Sequence, residues 1–557
     1  MNDDFRIYLR TEQPTYRLGE PVLITFQLIN VSERDYRLLA ENTPFESDEV
    51  FQYFTVRREG ELVPYDGRFV KRGEPVESSY RPVAAGETVS VTDDLTTAYP
   101  IDTAGTYTVT LDAEIADAIV TGGGNTSQAG VSTSQARSRE AHEGFRLDQV
   151  SVTFDVVGDD EPRLTVAEKV RRGTDGPRPA PESLAKLIPG VPVLIGGTAA
   201  EKNAARQAHE NAGVFAERSM YQLLWAAGAT NTQYAQWFGT HDAVRYATVR
   251  QHYTDISAVI AGQTVTYDLT GAGCQPGWYA YTYRNTRKVW FCSGFWSAPV
   301  TGTDSKLGTV VHELSHAVCS TDDLVYGESG AHTLASTNPA NAIRNADNHE
   351  YFAERLAEQV ITAPILWDNG KAYVFVAGKY FRIDIALDKV DHGPASITSG
   401  WTGVFPDRVD AGVMWPNGQD AYFFRGSQYV RFNVAQDAVA PGYPLEIGPY
   451  WQGLFPAAID ACLVWPGGQR VYFFRGSEYS RFDVDDSHPL GGKVPAGYPR
   501  QISEGWPGIW TANLTGAVTW TDGNVYFFRG PEYMTYQVSD DTVTGPWPLS
   551  TKWTGLP

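Results

Sequence analysis

HELSHAVCSTDDLVYG, residues 312–327, decides what the middle of this chain is built to do. Side chains four apart on a helix stand one above the other, so His312 and His316 point the same way. Two imidazoles so placed can bind one zinc ion, with Glu313 beside them as a general base for water. A catalytic zinc takes three protein ligands and keeps one position open, so a third ligand must come from elsewhere. The extended pattern HExxHxxGxxH requires Gly at 319 and His at 322, where the chain has Cys319 and Asp322. Spacing alone leaves four carboxylates as alternatives: Asp322, Asp323, and further on, in NADNHEYFAE, Glu350 and Glu354.

The chain around this stretch has 557 residues, more than one hydrophobic core spans, which predicts three or more domains. A formal charge of −21 argues against nucleic acid or an anionic membrane as the main partner and favours basic substrates. No apolar run is long enough to span a bilayer. The opening MNDDFRIYLRTEQPTYRLGE has neither a basic n-region nor an apolar h-region, so no secretory signal is visible in it.

Residues 1–157 alternate apolar and polar positions in FRIYLRTE, PVLITFQLINV, GTYTVTLDAEI and QVSVTFDVV, which predicts a β-sandwich. Residues 121–144 are a Gly/Ser-rich insertion, expected as a flexible loop, and 158–193 are Pro-rich and charged, expected as a linker. Helical patterns dominate 194–358. Cys274 and Cys292 bracket two aromatic runs around the turn-like YRNTRK, a hairpin whose ends a disulfide can close. Cys319 and Cys462 are expected to be unpaired. Asn30, Asn125 and Asn513 sit in glycosylation-type sequons.

Residues 359–557 repeat. KAYVFVAGKYFRIDI, DAYFFRGSQYVRFNV, RVYFFRGSEYSRFDV and NVYFFRGPEYMTYQV recur, with Tyr373, Tyr422, Tyr472 and Tyr526 in register. A period of roughly 50 residues with strand-turn-strand content predicts a four-bladed β-propeller whose aromatic residues are mostly core. The repeats resemble the hemopexin family. That resemblance implies a Ca2+ or Na+ ion held in the channel by backbone carbonyls, at Ala363, Ala411, Ala461 and Ala517, and a protein or glycan partner. Haem is not expected, because only His392 and His488 occur in the region. The cysteine pair that joins first and last blades in that family is missing.

QWFGTHDAVRYATVRQHYTDI, VWFCSGFWSAPVTGTDS, GTVVHELSH, DDLVYG and NADNHEYFAE, spread over 194–358, resemble the peptidyl-Lys metalloendopeptidases of the deuterolysin (aspzincin) family. The resemblance implies a mainly α (α+β) zincin-type catalytic domain with one Zn2+ and an extracellular enzyme. Its third metal ligand is the Asp three residues before a Tyr-Gly, here Asp323. It assigns Glu313 as general base and Tyr326 to the oxyanion. It also places Asp347 and Glu350 around the lysine side chain on the leaving-group side of the cut bond, so products would begin with Lys. Asp347 and Glu350 are three apart, on one face of a helix, where two carboxylates repel unless a cation sits between them. Ser320 stands where the family motif has Gly, and the loop from His316 to Asp323 is shorter than in fungal relatives.

The first 157 residues allow two readings: a prodomain that occludes the cleft and is released by cutting the linker, with Lys186 or Lys202 as self-processing points, or a permanent targeting module. A binding or toxin-like protein with a weak or latent protease is the alternative to a working endopeptidase.

Overall fold

The described residues of the N-terminal region form four sheets around one shared core, the smallest being the pair Glu114–Ile115 and Phe145–Arg146. In the computed structural model, which describes residues 2–46, 50–73, 75–122, 144–158, 187–225, 231–485 and 492–557, Leu23–Asn30 pairs antiparallel with both Phe5–Thr11 and Thr88–Asp94. Gly105–Leu111 lies between Phe54–Arg58 and Ser151–Val157. A third sheet sets Asp35–Leu39 between Ala118–Gly122 and Tyr80–Val83. Most of the expected loop and linker, with Asn125, Lys186 and His488, lie outside the described residues. Asn30 is buried and its amide donates to the carbonyls of Arg34 and Ala84, so in the folded chain it is closed to a glycan.

One strand of this region leaves its own sheets. Arg68–Arg72 pairs antiparallel with Trp278–Tyr283, Lys71 opposite Ala280 and Val70 opposite Tyr281. It thereby becomes the edge of a five-stranded sheet completed by Lys288–Phe291, Thr266–Asp268 and Val193–Ile195. Phe69 and Val70 share a buried cluster with Trp278, Tyr281 and Trp290, so the N-terminal and central regions have one continuous core at this seam. Burying two such side chains stabilises the junction by about 1.5–3 kcal/mol each. Cys274 and Cys292 are joined at the base of the hairpin, and neither Cys319 nor Cys462 is in a disulfide.

The expected linker runs too far. The Leu187 amide donates to Glu217 and the Gly190 amide to the Ile260 carbonyl, so residues 187–193 already belong to the central unit. The cause is the apolar run VLI, which pairs as a parallel strand beside Thr266–Asp268.

The HELSH segment lies on the helix Lys306–Cys319, capped by Ser305, whose Oγ accepts from the Gly308 amide at 3.0 Å. The helix ends at Ser320 with φ 60° and ψ 37°. That left-handed conformation favours glycine, the residue the resemblance expects here. The helix Ala346–Ala357 packs against it so closely that a Cβ on Gly308 would meet Glu354 Oε1 at 2.0 Å and Glu350 Oε1 at 2.8 Å.

The C-terminal region is four successive antiparallel sheets, beginning at Thr362, Ala411, Ala461 and Gly516. The first strand of each packs beside the next, and the fourth packs back on the first. Trp401, Trp451, Trp506 and Trp553 are buried among the Tyr and Phe residues of the repeats. One repeat position needs correcting. Ala411 pairs with Phe424 and Ala461 with Phe474, and the residue paired with the matching Phe528 is Gly516, so Ala517 is one residue out of register. This region docks on the helix Ala199–Trp225, where the Arg408 guanidinium donates to Asn211 and pairs with Asp407 and Asp410.

Gly308→Ala should lower the folding stability by about 1–3 kcal/mol, because two buried carboxylates must move to admit a methyl group. A thermal melt unchanged from the parent would contradict this helix contact.

Candidate active site

The helix spacing brings His312 and His316 together as expected from their sequence separation. Both are fully buried, and their Nε2 atoms lie 3.1 Å apart. Asp323 Oδ1 is 3.1 Å from each. The Thr321 carbonyl accepts from His316 Nδ1 at 2.9 Å, which puts that ring's proton on Nδ1. His312 Nδ1 faces Asp347 Oδ1 at 3.0 Å and Glu350 Oε2 at 3.2 Å, which holds its proton on the same side. Two imidazole lone pairs and a carboxylate oxygen therefore converge on one point, and Asp323 Oδ1 has no hydrogen-bond partner among the described residues. Such a cluster repels itself unless a cation lies between its members. A tetrahedral zinc with bonds of about 2.0–2.1 Å separates its ligand atoms by about 3.3 Å, close to the spacing seen here. The donor set fits zinc.

Asp322 is not in this cluster. Its carboxylate is buried between the guanidinium groups of Arg284 and Arg344. Glu354, also weighed as a ligand, accepts from the Ser305 amide and hydroxyl, each at 2.7 Å.

Glu313 is buried next to the cluster, and burial pushes its carboxyl up to about 8, with Asp323 adding to the rise and His312 opposing it. Its Oε1 accepts from the Lys71 amide at 3.2 Å. The Tyr326 hydroxyl donates to the Val70 carbonyl at 3.2 Å and accepts from the Arg72 guanidinium. The Val70 amide donates to Asp323 Oδ2 at 3.1 Å. The edge strand thus lies across the cluster with the Val70–Lys71 peptide bond at its centre.

The Lys71 side chain runs from there into an acidic pocket and is 1% exposed. Its ammonium is 2.7 Å from Glu350 Oε2 and 3.0 Å from Asp304 Oδ1. Burial works against the charge, but Glu350, Asp347, Asp304 and Glu354 together outweigh it and hold Lys71 well above the usual lysine range. Of the two carboxylates named from the sequence, Glu350 makes the ion pair. Asp347 spends its oxygens beside His312 and on the Gly327 amide, at 2.6 Å. His312, Asp347 and Glu350 also form a second group of converging ligand atoms, and there the Lys71 ammonium supplies the cation.

Sequence reasoning missed Lys71, Arg72 and Asp304. The stretch RFVKR does not alternate, because four consecutive residues from Phe69 to Arg72 are buried, and nothing in it names its partner. Asp304 adopts φ 51° at the end of a loop, held by Lys71 and by the Tyr351 hydroxyl at 2.9 Å.

The chain is similar in sequence to known proteins. The family described as "Lysine-specific metallo-endopeptidase" matches residues 224–354, and hemopexin repeats match 409–455, 459–511 and 514–557. An "Extracellular protease" of Aeromonas hydrophila is 33% identical over 343 residues, 60% of this chain and 88% of that protein. A "Peptidyl-Lys metalloendopeptidase" of Pleurotus ostreatus is 42% identical over 164 residues, 29% of this chain and 95% of that protein. A solved zinc peptidase from Grifola frondosa is 38% identical, covering 28% of this chain and 97% of its own, with a TM-score of 0.27.

Asp347→Ala removes the carboxylate that orients His312. Zinc affinity, measured by competition with a chromogenic chelator, should weaken by roughly 10–100-fold. An unchanged affinity would mean that the His312 ring is fixed by its packing alone.

Proposed function

We propose, from the premise that the chain belongs to the lysine-specific metallo-endopeptidase family and is a zinc metalloendopeptidase, that it cuts peptide bonds on the N-terminal side of lysine. The observation that carries this reading is the seating of Lys71. A lysine side chain fills the acidic pocket while the carbonyl just before it meets Tyr326 and its own amide meets Glu313. A substrate lysine placed the same way has its scissile bond between the two groups that chemistry needs.

His312, His316 and Asp323 would hold the zinc. Bound there, the ion supplies a Lewis acid that polarises a carbonyl and lowers the pKa of water toward about 7. Glu313 takes a proton from the attacking water and passes it to the leaving amine. The Tyr326 hydroxyl donates to the carbonyl oxygen as negative charge develops on it. Glu350 and Asp304 fix the substrate ammonium, and Asp347 keeps His312 in the tautomer that points its lone pair at the metal.

The other regions take supporting roles in this reading. Residues 1–157 are a β-sandwich prodomain whose edge strand fills the cleft by β-augmentation. The four C-terminal sheets are the blades of a four-bladed propeller that docks a substrate or partner and can take a Ca2+ or Na+ ion in its channel. The enzyme works outside the cell, as its Aeromonas relative is named to do. The toxin-like binding alternative is not favoured by relatives that are named as proteases.

Once the N-terminal region has been removed, the zinc-loaded protein should cut a denatured protein into fragments that begin with Lys, read by mass mapping. Glu313→Gln should lower kcat by about 10²–10⁴. Zinc-dependent fragments that begin with other residues would discard the pocket assignment while leaving the peptidase.

A further inference from the structure

We propose that Val70–Lys71 is itself a substrate bond of this site, cut by the chain's own catalytic residues in a first, intramolecular turnover. The inference rests on the endopeptidase reading above and adds to it a specific bond.

An edge strand can block a cleft in many ways that leave its peptide bonds out of reach. Here the contacts single out one bond. Both of its polar atoms are engaged by the reacting groups: the Val70 oxygen by the Tyr326 hydroxyl at 3.2 Å, and the Lys71 nitrogen by Glu313 at 3.2 Å. The Val70 amide is held by Asp323, one of the proposed metal ligands. The Lys71 ammonium is in the pocket at 2.7 Å from Glu350. Pairing with Trp278–Tyr283 fixes the strand in register on both sides of the bond, Tyr281 opposite Val70 and Trp278 opposite Arg72. Orientation of this kind removes most of the entropic barrier that a free peptide faces. A cleft of about 840 Å³ between the N-terminal and central regions, lined by Arg72, Asp323 and Tyr326, adjoins these contacts.

The step is a hydrolysis. The oxygen of one water adds to the Val70 carbonyl carbon, and the bond from that carbon to the Lys71 nitrogen breaks with its electron pair remaining on nitrogen. Glu313 carries the water proton to that nitrogen. Val70 ends as a carboxylate and Lys71 as a new α-amine, with no oxidation or reduction.

The products do not simply leave. Val70 and Phe69 are anchored in the shared core, and Arg72 pairs with Glu46 through Nε at 2.7 Å and Nη2 at 2.8 Å. Lys71 keeps its side chain in the pocket. The nicked chain therefore stays occluded after one turnover, and the rate at which the cut strand departs sets the onset of activity on other substrates. Of the expected self-processing points, Lys186 lies outside the described residues, and Lys202 lies within the first turn of the helix Ala199–Trp225.

The test uses the full chain, purified with a chelator and then loaded with zinc. Intact mass under denaturing conditions should show one fragment ending at Val70 and another beginning Lys-Arg-Gly-Glu-Pro. Their rate of appearance should not change with a tenfold change in protein concentration. Glu313→Gln should stay whole, and Lys71→Ala should stay whole at this bond while keeping its circular dichroism spectrum. A readout free of turnover accompanies it: in the Glu313→Gln background, a fluorescent lysine peptide should bind only when Lys71→Ala has vacated the pocket. A zinc-loaded chain that cuts a separate lysine peptide but leaves Val70–Lys71 intact would overturn the proposal and spare the endopeptidase reading. A zinc-loaded chain that cuts neither, and whose Lys71→Ala variant also leaves a separate lysine peptide intact, would overturn both.

Discussion

One ammonium group holds the N-terminal region, the catalytic helix and the acidic helix in a single arrangement. Asp304, Asp347, Glu350 and Glu354 crowd around a pocket from which water is largely excluded, and carboxylates so close cannot all stay ionised without a cation. Lys71 is that cation, and its neighbours keep it charged despite complete burial. Glu354 shows the strain that remains, because burial and the nearby Glu350 charge push its carboxyl well above the usual range. Removing one partner from a buried ion pair costs about 3–5 kcal/mol, since the other charges are left uncompensated. The N-terminal region is therefore tied to the pocket by electrostatics as well as by the shared core around Phe69 and Trp278.

The same pocket links specificity to metal binding. Asp347 lies between the two, with one oxygen beside His312 and the other on the Gly327 amide next to Tyr326. A group that touches both His312 and the residue beside Tyr326 couples the lysine pocket to the proposed reacting centre. Glu350 plays a similar double part, 3.2 Å from His312 and 2.7 Å from Lys71. Filling the pocket with an ammonium therefore alters the field at His312.

What could be read from the sequence was what lies close along it. His312, Glu313 and His316 declare themselves by one helical turn, Cys274 and Cys292 by a hairpin, and the four repeats by a shared period. The Asp that faces both histidines was among the alternatives that spacing left open, and Asp323 stood out only through a family resemblance. The pairing of Val70 with Asp323 spans 253 residues and that of Lys71 with Asp304 spans 233. No local pattern encodes contacts of that range, because a strand's alternation shows which face is buried without naming its neighbour. The slip from Gly516 to Ala517 has the opposite origin. Likeness of residue type points to Ala517, whereas the register is fixed by the backbone pairing of Gly516 with Phe528.

The central claim is that a metal at His312, His316 and Asp323 and a lysine ammonium at Glu350 occupy adjacent halves of one site. A crystal structure of the zinc-loaded Glu313→Gln chain, with anomalous data collected at the zinc edge, tests it most directly. The account predicts one strong peak bounded by His312 Nε2, His316 Nε2 and Asp323, with the Lys71 ammonium still paired to Glu350. A peak bounded by His312, Asp347 and Glu350, or a Lys71 side chain outside the pocket, would contradict it.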